Sequence, residues 1–251
     1  MGEAGGRALT AMHLSSRWRR GCGRVVILAL LLAVVIVVHA VLTAPDVGAL
    51  AKQNPPTTAF IERARQRAQR NRGPAVQWTW VSGTRISPDL ARAVVAGEDL
   101  AFFQHRGFDV HEIRRALADA WVQREWPRGA STITQQVAKN LWLSPSYDPV
   151  RKLREAVLTR RLERALSKRR ILEIYLNVAE FGPGVYGAEA AARRYFDKSA
   201  ADLDAHEAAQ LAACLPRPAT WHPGSASRAY ARRVRILEGR AARAWFPARM
   251  L

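Results

Sequence analysis

The chain of 251 residues reads as a mostly α protein with one N-terminal transmembrane helix. Three observations predict this class. A long aliphatic run without formal charge lies near the start. Apolar residues recur at three- and four-residue spacing over most of the chain beyond Ser87, and Ser, Thr or Asp stands at the head of most such runs. The composition is 49% hydrophobic, enough for a core, with a formal net charge of +18. Such a charge suits nucleic acid, an anionic membrane surface or an anionic substrate.

From Val25 to Leu42 eighteen residues carry no formal charge. As a helix they span about 27 Å, close to the roughly 30 Å hydrocarbon core of a bilayer. Arg17, Arg19, Arg20 and Arg24 precede the run, so the N-terminus is expected in the cytoplasm and everything after Thr43 across the membrane. The run is longer than a typical signal-peptide core, which favours an uncleaved anchor over a cleaved leader. Expected divisions are a basic N-terminus (1–24), the membrane helix (25–42), a linker with a polar helix (43–76), the main domain (77–223) and a basic C-terminal helix (224–251). The domain then lies where nucleic acid is not the usual ligand. Cys22 and Cys214 fall on opposite sides of the bilayer, so no intramolecular disulfide is expected.

Within the linker, Asn54-Pro55-Pro56-Thr57 breaks structure and 61–72 is rich in Arg and Gln. Gln77 to Val81 alternates as a short strand. Ser87-Pro88 starts a helix through Val94 and Val95. Asp109-Val110-His111-Glu112 fits a capping box before the apolar stripe Val110, Ile113, Leu117 and Trp121. Thr132 to Gln135 caps a helix carrying Ile133, Val137 and Leu141 on one face. A long helix from Val150 to Leu166 has Leu153, Val157, Leu162 and Ala165 at helical spacing. Ser167 caps the next helix, and Asp204 to Glu207 forms a second Asp-headed box. The glycine-rich loop Phe181 to Gly187 lacks phosphate-loop spacing. The arginines at and beyond Arg228 read as a solvated face, with anionic lipid headgroups as their one candidate contact.

Three clusters carry the chemistry. Glu98-Asp99 ends an apolar helix and runs into an aromatic loop, a poor place for packing and a good one for a cleft. In the stretch Arg128 to Asn140, a glycine, two hydroxyls and free amides open a helix, which suits an anion. Gln135 and Lys139 lie four apart there, as do Gln136 and Asn140, which concentrates polar groups. In Arg151-Lys152-Leu153-Arg154-Glu155 the residue pair Arg151–Glu155 has the spacing of an exposed ion pair worth about 0.3–0.5 kcal/mol. The sharper reading is a diphosphate site, with the Arg fork and the mobile Lys charge gripping oxygens.

In order, Glu98 to Gly107 (Glu-Asp-x-x-Phe-x-x-His-x-Gly), Gly129 to Gln136 (Gly-Ala-Ser-Thr-Ile-Thr-Gln-Gln), Arg151 to Glu155 (Arg-Lys-x-x-Glu) and Ile171 to Asn177 (Ile-Leu-Glu-x-Tyr-Leu-Asn) resemble the peptidoglycan glycosyltransferase family, glycosyltransferase family 51. The resemblance covers about Ile86 to Pro218 and implies a lysozyme-like helical domain that polymerises lipid II into β-1,4 glycan strands, releasing undecaprenyl diphosphate. It implies Glu98 as general base, with Glu155 the second family glutamate and Asp99 beside the base. It places Lys139, Arg151 and Lys152 on the donor diphosphate, with Ser131, Thr132, Gln135, Gln136 and Asn140 along the donor side and Arg115 as a weaker substrate contact. Phe102, His105 and Gly107 are supporting residues, His105 through a structural hydrogen bond. No cofactor is obligatory; a divalent cation, magnesium or manganese, is the candidate at the diphosphate. Partners are lipid II, the growing glycan-lipid, the inner membrane and other cell-wall synthases. No Ser-x-x-Lys occurs, and Ala130 replaces the second glycine common in bifunctional relatives, so the chain resembles the monofunctional type.

The bottom-up chemistry agrees. A diphosphate leaves as a stabilised anion, so the site needs cations rather than a proton donor at the leaving group. A hydrolase instead places a second carboxylate close to the scissile bond. The competing readings are a membrane-anchored lytic glycosidase and a non-catalytic anchor that binds cell-wall lipid.

Overall fold

The computed structural model describes residues 27–28, 30–124, 129, 131–146 and 148–244. The basic segment before the apolar run, Cys22, Arg128, Ala130 and the last seven residues lie outside them. The chain divides into two units, Met1–Pro45 and Asp46–Leu251. In the first, residues 27, 28 and 30–42 are helical (α1). Val25, Val26 and Ala29 of the expected membrane helix fall outside the described residues. Among those described, no helix is long and apolar enough to cross a membrane.

The second unit runs α2 (Ala59–Arg70), β1 (Gln77–Trp78), α3 (Pro88–Glu98), α4 (Val110–Gln123), α5 (Ile133–Trp142), α6 (Pro149–Ala165), α7 (Lys168–Val178), β2 (Glu180–Gly182), β3 (Val185–Tyr186), α8 (Ala188–Phe196), α9 (Ala205–Cys214) and α10 (Arg228–Arg243). Short 3-10 turns cover Gly48–Ala51, Gly83–Arg85 and Ala200–Asp202. Two groups of helices form the body: α3 packs on α9 and α10, and α5 on α6 and α7. A small sheet of order β1-β3-β2 pairs β1 with β3 parallel and β2 with β3 antiparallel.

The expected caps form, because each needs only a side chain reaching an amide two or three residues on. Ser87 accepts from Asp89 N at 3.2 Å, Ser167 from Arg170 N at 3.2 Å, and Asp204 from Glu207 N at 2.9 Å. Glu207 reaches back to the Asp204 amide at 3.1 Å, completing that box. Asp109 makes only half of its expected box: it accepts from Glu112 N at 3.0 Å, but the Glu112 carboxylate turns to Arg115 instead.

Tertiary packing departs from the sequence expectation at four places. The expected strand shortens to Gln77–Trp78, because the Asn177 carboxamide takes over further along. It accepts from Val81 N at 2.9 Å and donates to Val81 O at 3.0 Å, imitating a neighbouring strand. The polar helix α2 is part of the body, with Ile61 fully buried against Tyr186. On α6 the buried stripe is Glu155, Leu158, Thr159 and Leu162, rotated from the one that apolar spacing suggests. The α4 stripe stays largely uncovered: Val110, Leu117 and Trp121 are exposed, Trp121 by 88%, and Ile113 is half-buried.

In the glycine-rich loop, Gly187 holds φ +83° against α7, where a Cβ would lie 2.7 Å from Asn177 O. Its amide donates to Ala179 O at 2.9 Å. This glycine therefore serves close backbone packing.

Candidate active site

Glu98 is the last residue of α3, set at the wall of a cleft of about 770 Å³. Its helix is drawn inward by Leu90, Ala91, Val94 and Val95, so the final turn delivers the carboxylate to the cleft with little solvent around it. The side chain is 12% exposed. Gln136 Nε2 donates to Glu98 Oε2 at 3.0 Å and Arg233 donates to Oε1 at 3.0 Å. Burial pushes the Glu98 carboxyl above its usual range; the Gln136 hydrogen bond and the Arg233 charge oppose that rise. Tyr175, fully buried, is held protonated well above the ordinary phenol value by burial and by the charges of Glu98 and Asp99. Its hydroxyl donates to Gln136 Oε1 at 2.9 Å, which fixes the Gln136 amide with its NH2 toward Glu98.

Asp99, grouped above with the catalytic residues, points elsewhere. Its side chain is 2% exposed. It accepts from Ile133 N at 3.0 Å and pairs with His105 Nε2 at 2.9 Å. Gly107 N donates to His105 Nδ1 at 3.1 Å, so Nδ1 is the acceptor and Nε2 carries the proton toward Asp99. The anion expected at the N-terminus of α5 is thus this chain's own Asp99 carboxylate. Asp99 is tied to the head of α5 and to His105, which has the structural hydrogen bond expected of it.

Phe102 is fully buried, edge-on to Phe103 at 5.0 Å, with Lys168 Nζ 4.4 Å from its ring centroid. Gly107 holds φ +93°, and a Cβ there would lie 2.8 Å from Thr159 Cγ2. Gly107→Ala is therefore expected to destabilise the fold by about 1–3 kcal/mol through backbone strain and overpacking. Thermal unfolding measures it, and an unchanged melting temperature would contradict the packing described.

Thr132 and Gln135 are likewise spent inside the protein. Thr132 Oγ1 accepts from Gln135 N at 3.2 Å and donates to Gly107 O at 2.7 Å, while Gln135 Oε1 accepts from Thr132 N at 3.0 Å. This full capping box is buried; Thr132 still lines the cleft beside Ser131, whereas Gln135 turns toward Glu155. Ser131 is exposed and lines the cleft with Glu98. Asn140 is buried on the far turn of α5.

The cationic cluster forms on α5 and α6. Glu155, 3% exposed, accepts from Arg151 at 2.6 Å and pairs with Lys152. Gln135 Nε2 lies 3.5 Å from Glu155 Oε1. The pair Arg151–Glu155 is therefore an inward-facing bridge rather than a surface one. Lys139 lies 5.7 Å from the Phe60 ring centroid. Burial lowers the Lys139 ammonium below its usual value; Glu155 and Glu98 oppose the fall, and Arg151 and Lys152 add to it. Consecutive residues Gln135 and Gln136 thus reach the two glutamates, Glu155 and Glu98, and Lys139 feels both. Arg115 is exposed on α4, paired with Glu112 at 2.9 Å, and lines the same cleft as Glu98.

A protein-held divalent cation does not fit this donor set. The Glu155 carboxylate already faces Arg151 and Lys152, whereas magnesium or calcium asks for six or more oxygens. Among the described residues no group of three His, Cys, Asp or Glu could hold a metal.

Sequence reasoning missed Arg233. It sits on α10 between buried Tyr230 and Val234, one turn before Leu237. A cation set inside an apolar stripe was the available signal. Reading the helix as a solvated face overlooked it: α10 packs on α3, and Arg233 is half-buried on Glu98.

Comparison with known proteins gives this arrangement its relatives. Residues 65–241 match the family profile described as Transglycosylase. The biosynthetic peptidoglycan transglycosylase of Methylobacillus flagellatus is 47% identical over 190 residues, covering 75% of this chain and 83% of that one. The protein of the same name from Thiobacillus denitrificans is 49% identical over 187 residues, 74% of this chain and 80% of the other. That of Laribacter hongkongensis is 45% identical over 188 residues, with shares of 74% and 82%. With a buried carboxylate at a cleft wall, cations gathered along α5 and α6 and these relatives covering most of its length, this chain belongs to the transglycosylase family.

Proposed function

We propose that the protein is a peptidoglycan glycosyltransferase that joins lipid II units into β-1,4 glycan strands. The observation that carries this reading is Glu98, a desolvated carboxylate held by Gln136 and Arg233 at the cleft wall. Glu98 takes the proton of the acceptor sugar's 4-hydroxyl as the oxygen attacks the donor's anomeric carbon. The bond from that carbon to the diphosphate oxygen breaks, the configuration inverts, and undecaprenyl diphosphate departs with the electron pair. Lys139, Arg151 and Lys152 would meet the charge developing on it. Glu155 holds Arg151 and Lys152 in place rather than touching sugar. A magnesium or manganese ion would have to arrive with the diphosphate and take its oxygens from the ligand; titrating polymerisation with chelator tests that.

The tests begin with labelled lipid II and, separately, finished peptidoglycan. Polymer from lipid II is the expected product. Solubilised peptidoglycan without lipid II consumption would favour a lytic glycosidase. Lys139→Ala is expected to raise the KM for the donor by about tenfold or more, the loss of one charge-assisted contact. Normal donor kinetics in that variant would remove Lys139 from the diphosphate site.

The same proposal places the enzyme at the inner membrane, single-pass, with its N-terminus in the cytoplasm. The uncharged run from Val25 to Leu42 and its arginine flank support this. The exposed apolar side chains of α4, Leu117, Trp121 and Val122, suit a protein that works on a lipid-linked substrate. Carbonate extraction and protease protection of the full chain test the anchor and its orientation.

A further inference from the structure

We infer that Arg240 and Arg243, on the last turn of α10, form a second anion site that holds the diphosphate of the acceptor while its hydroxyl lies at Glu98. This rests on the transferase reading above.

Both arginines line the cleft that holds Glu98. Lys139, Arg151 and Lys152 are not among its lining residues; Lys139, on α5, feels the charge of Glu98 on one side and those of Arg151 and Lys152 on the other. Two separate groups of cations therefore flank one base. Among the described residues, Arg240 and Arg243 make no ion pair with an acid. The third cleft arginine, Arg115, is neutralised by Glu112.

Helical spacing places the pair. Arg233, Leu237 and Arg240 stand at i, i+4 and i+7, on one face of α10. Arg233 grips Glu98, and Leu237 packs so closely on Gly97 that a Cβ there would lie 2.9 Å from Leu237 Cδ2. The face that fixes the base therefore continues to Arg240, two turns and about 10 Å further along the axis. Arg243 lies three residues beyond, on the same side as Arg240.

The acceptor's chemistry matches this spacing. Lipid II presents its reacting 4-hydroxyl at one end of a disaccharide and its diphosphate at the other. With the hydroxyl at Glu98, the diphosphate falls one disaccharide away, where the donor-side cations cannot serve because the leaving group occupies them. Arginine forks grip phosphate oxygens in pairs, and a helix C-terminus favours cations there even before ligand arrives.

The experiment uses the full-length protein and its Arg240→Ala/Arg243→Ala form. A lipid II analogue lacking the 4-hydroxyl serves as fixed donor, with either lipid II or the same disaccharide without diphosphate as acceptor. The double variant is expected to raise the KM for lipid II as acceptor by about tenfold or more, with kcat near wild type. The KM for the 4-deoxy donor and for the diphosphate-free acceptor should stay put, and the Arg240→Lys/Arg243→Lys form should recover much of the loss. An unchanged acceptor KM would overturn the inference and leave the transferase reading intact. An inactive wild-type protein would instead overturn the transferase reading. If binding to phosphatidylglycerol vesicles falls while acceptor KM holds, the pair serves the membrane surface and the inference fails.

Discussion

Glu98→Gln is expected to lower lipid II polymerisation by at least about 100-fold, the usual contribution of a positioned general base. The substitution keeps the side chain's shape and removes only its ability to take a proton. The surroundings tolerate it. Arg233 keeps the Gly97 carbonyl at 3.4 Å and remains partly in water, being 26% exposed. Gln136 can turn its amide over, because the Tyr175 hydroxyl that now donates to it can also accept. Donor binding should therefore persist, and single-turnover measurements with labelled lipid II separate the two effects. A variant polymerising within tenfold of wild type would mean that another group takes the proton.

Arg233→Ala should move the acid limb of the pH–rate profile to higher pH. The proposed base Glu98 can take a proton only when ionised, and burial already raises its pKa. Arg233 opposes that rise from α10, as the Gln136 hydrogen bond does from α5, while Asp99 beside it adds to it. Lys139 on α5 and Tyr175 on α7 are the other titratable groups that feel Glu98, and α9, which packs against α3, buries Ala208, Ala209, Leu211 and Ala212. Removing the cation leaves desolvation less opposed, so the pKa climbs further. Below the new pKa, each unit of rise costs about tenfold in ionised base. The loss should be greatest at low pH and shrink toward alkaline pH, with Arg233→Lys recovering part of it. A uniform loss at every pH would assign Arg233 to packing alone.

Between them these two residues mark how far local pattern carries. Glu98 stood out because it ends an apolar helix ahead of an aromatic loop and heads the first of four ordered motifs that resemble one family. Arg233 was not, because its meaning depends on a partner 135 residues away. Asp99 shows the same limit differently. Its place beside Glu98 suggested chemistry, yet it binds an amide 34 residues on and holds the head of α5. Glu155 shows it once more. Its spacing from Arg151 is that of an exposed pair, and only the packing of α6 on α5 turns that pair inward.

The chain alone foretells its helices and most of their caps, which depend on hydrogen bonds between residues three or four apart and on the periodic placement of apolar side chains; its ordered motifs, through the family they resemble, single out Glu98 as the candidate base. The packing of distant segments settles which polar groups are spent inside the protein and which remain for a ligand. It ties the Ile133 amide at the head of α5 to Asp99, buries Glu155 between two cations and lays α10 against Glu98. Desolvating a charge is costly unless partners surround it, and those partners come from distant parts of the chain.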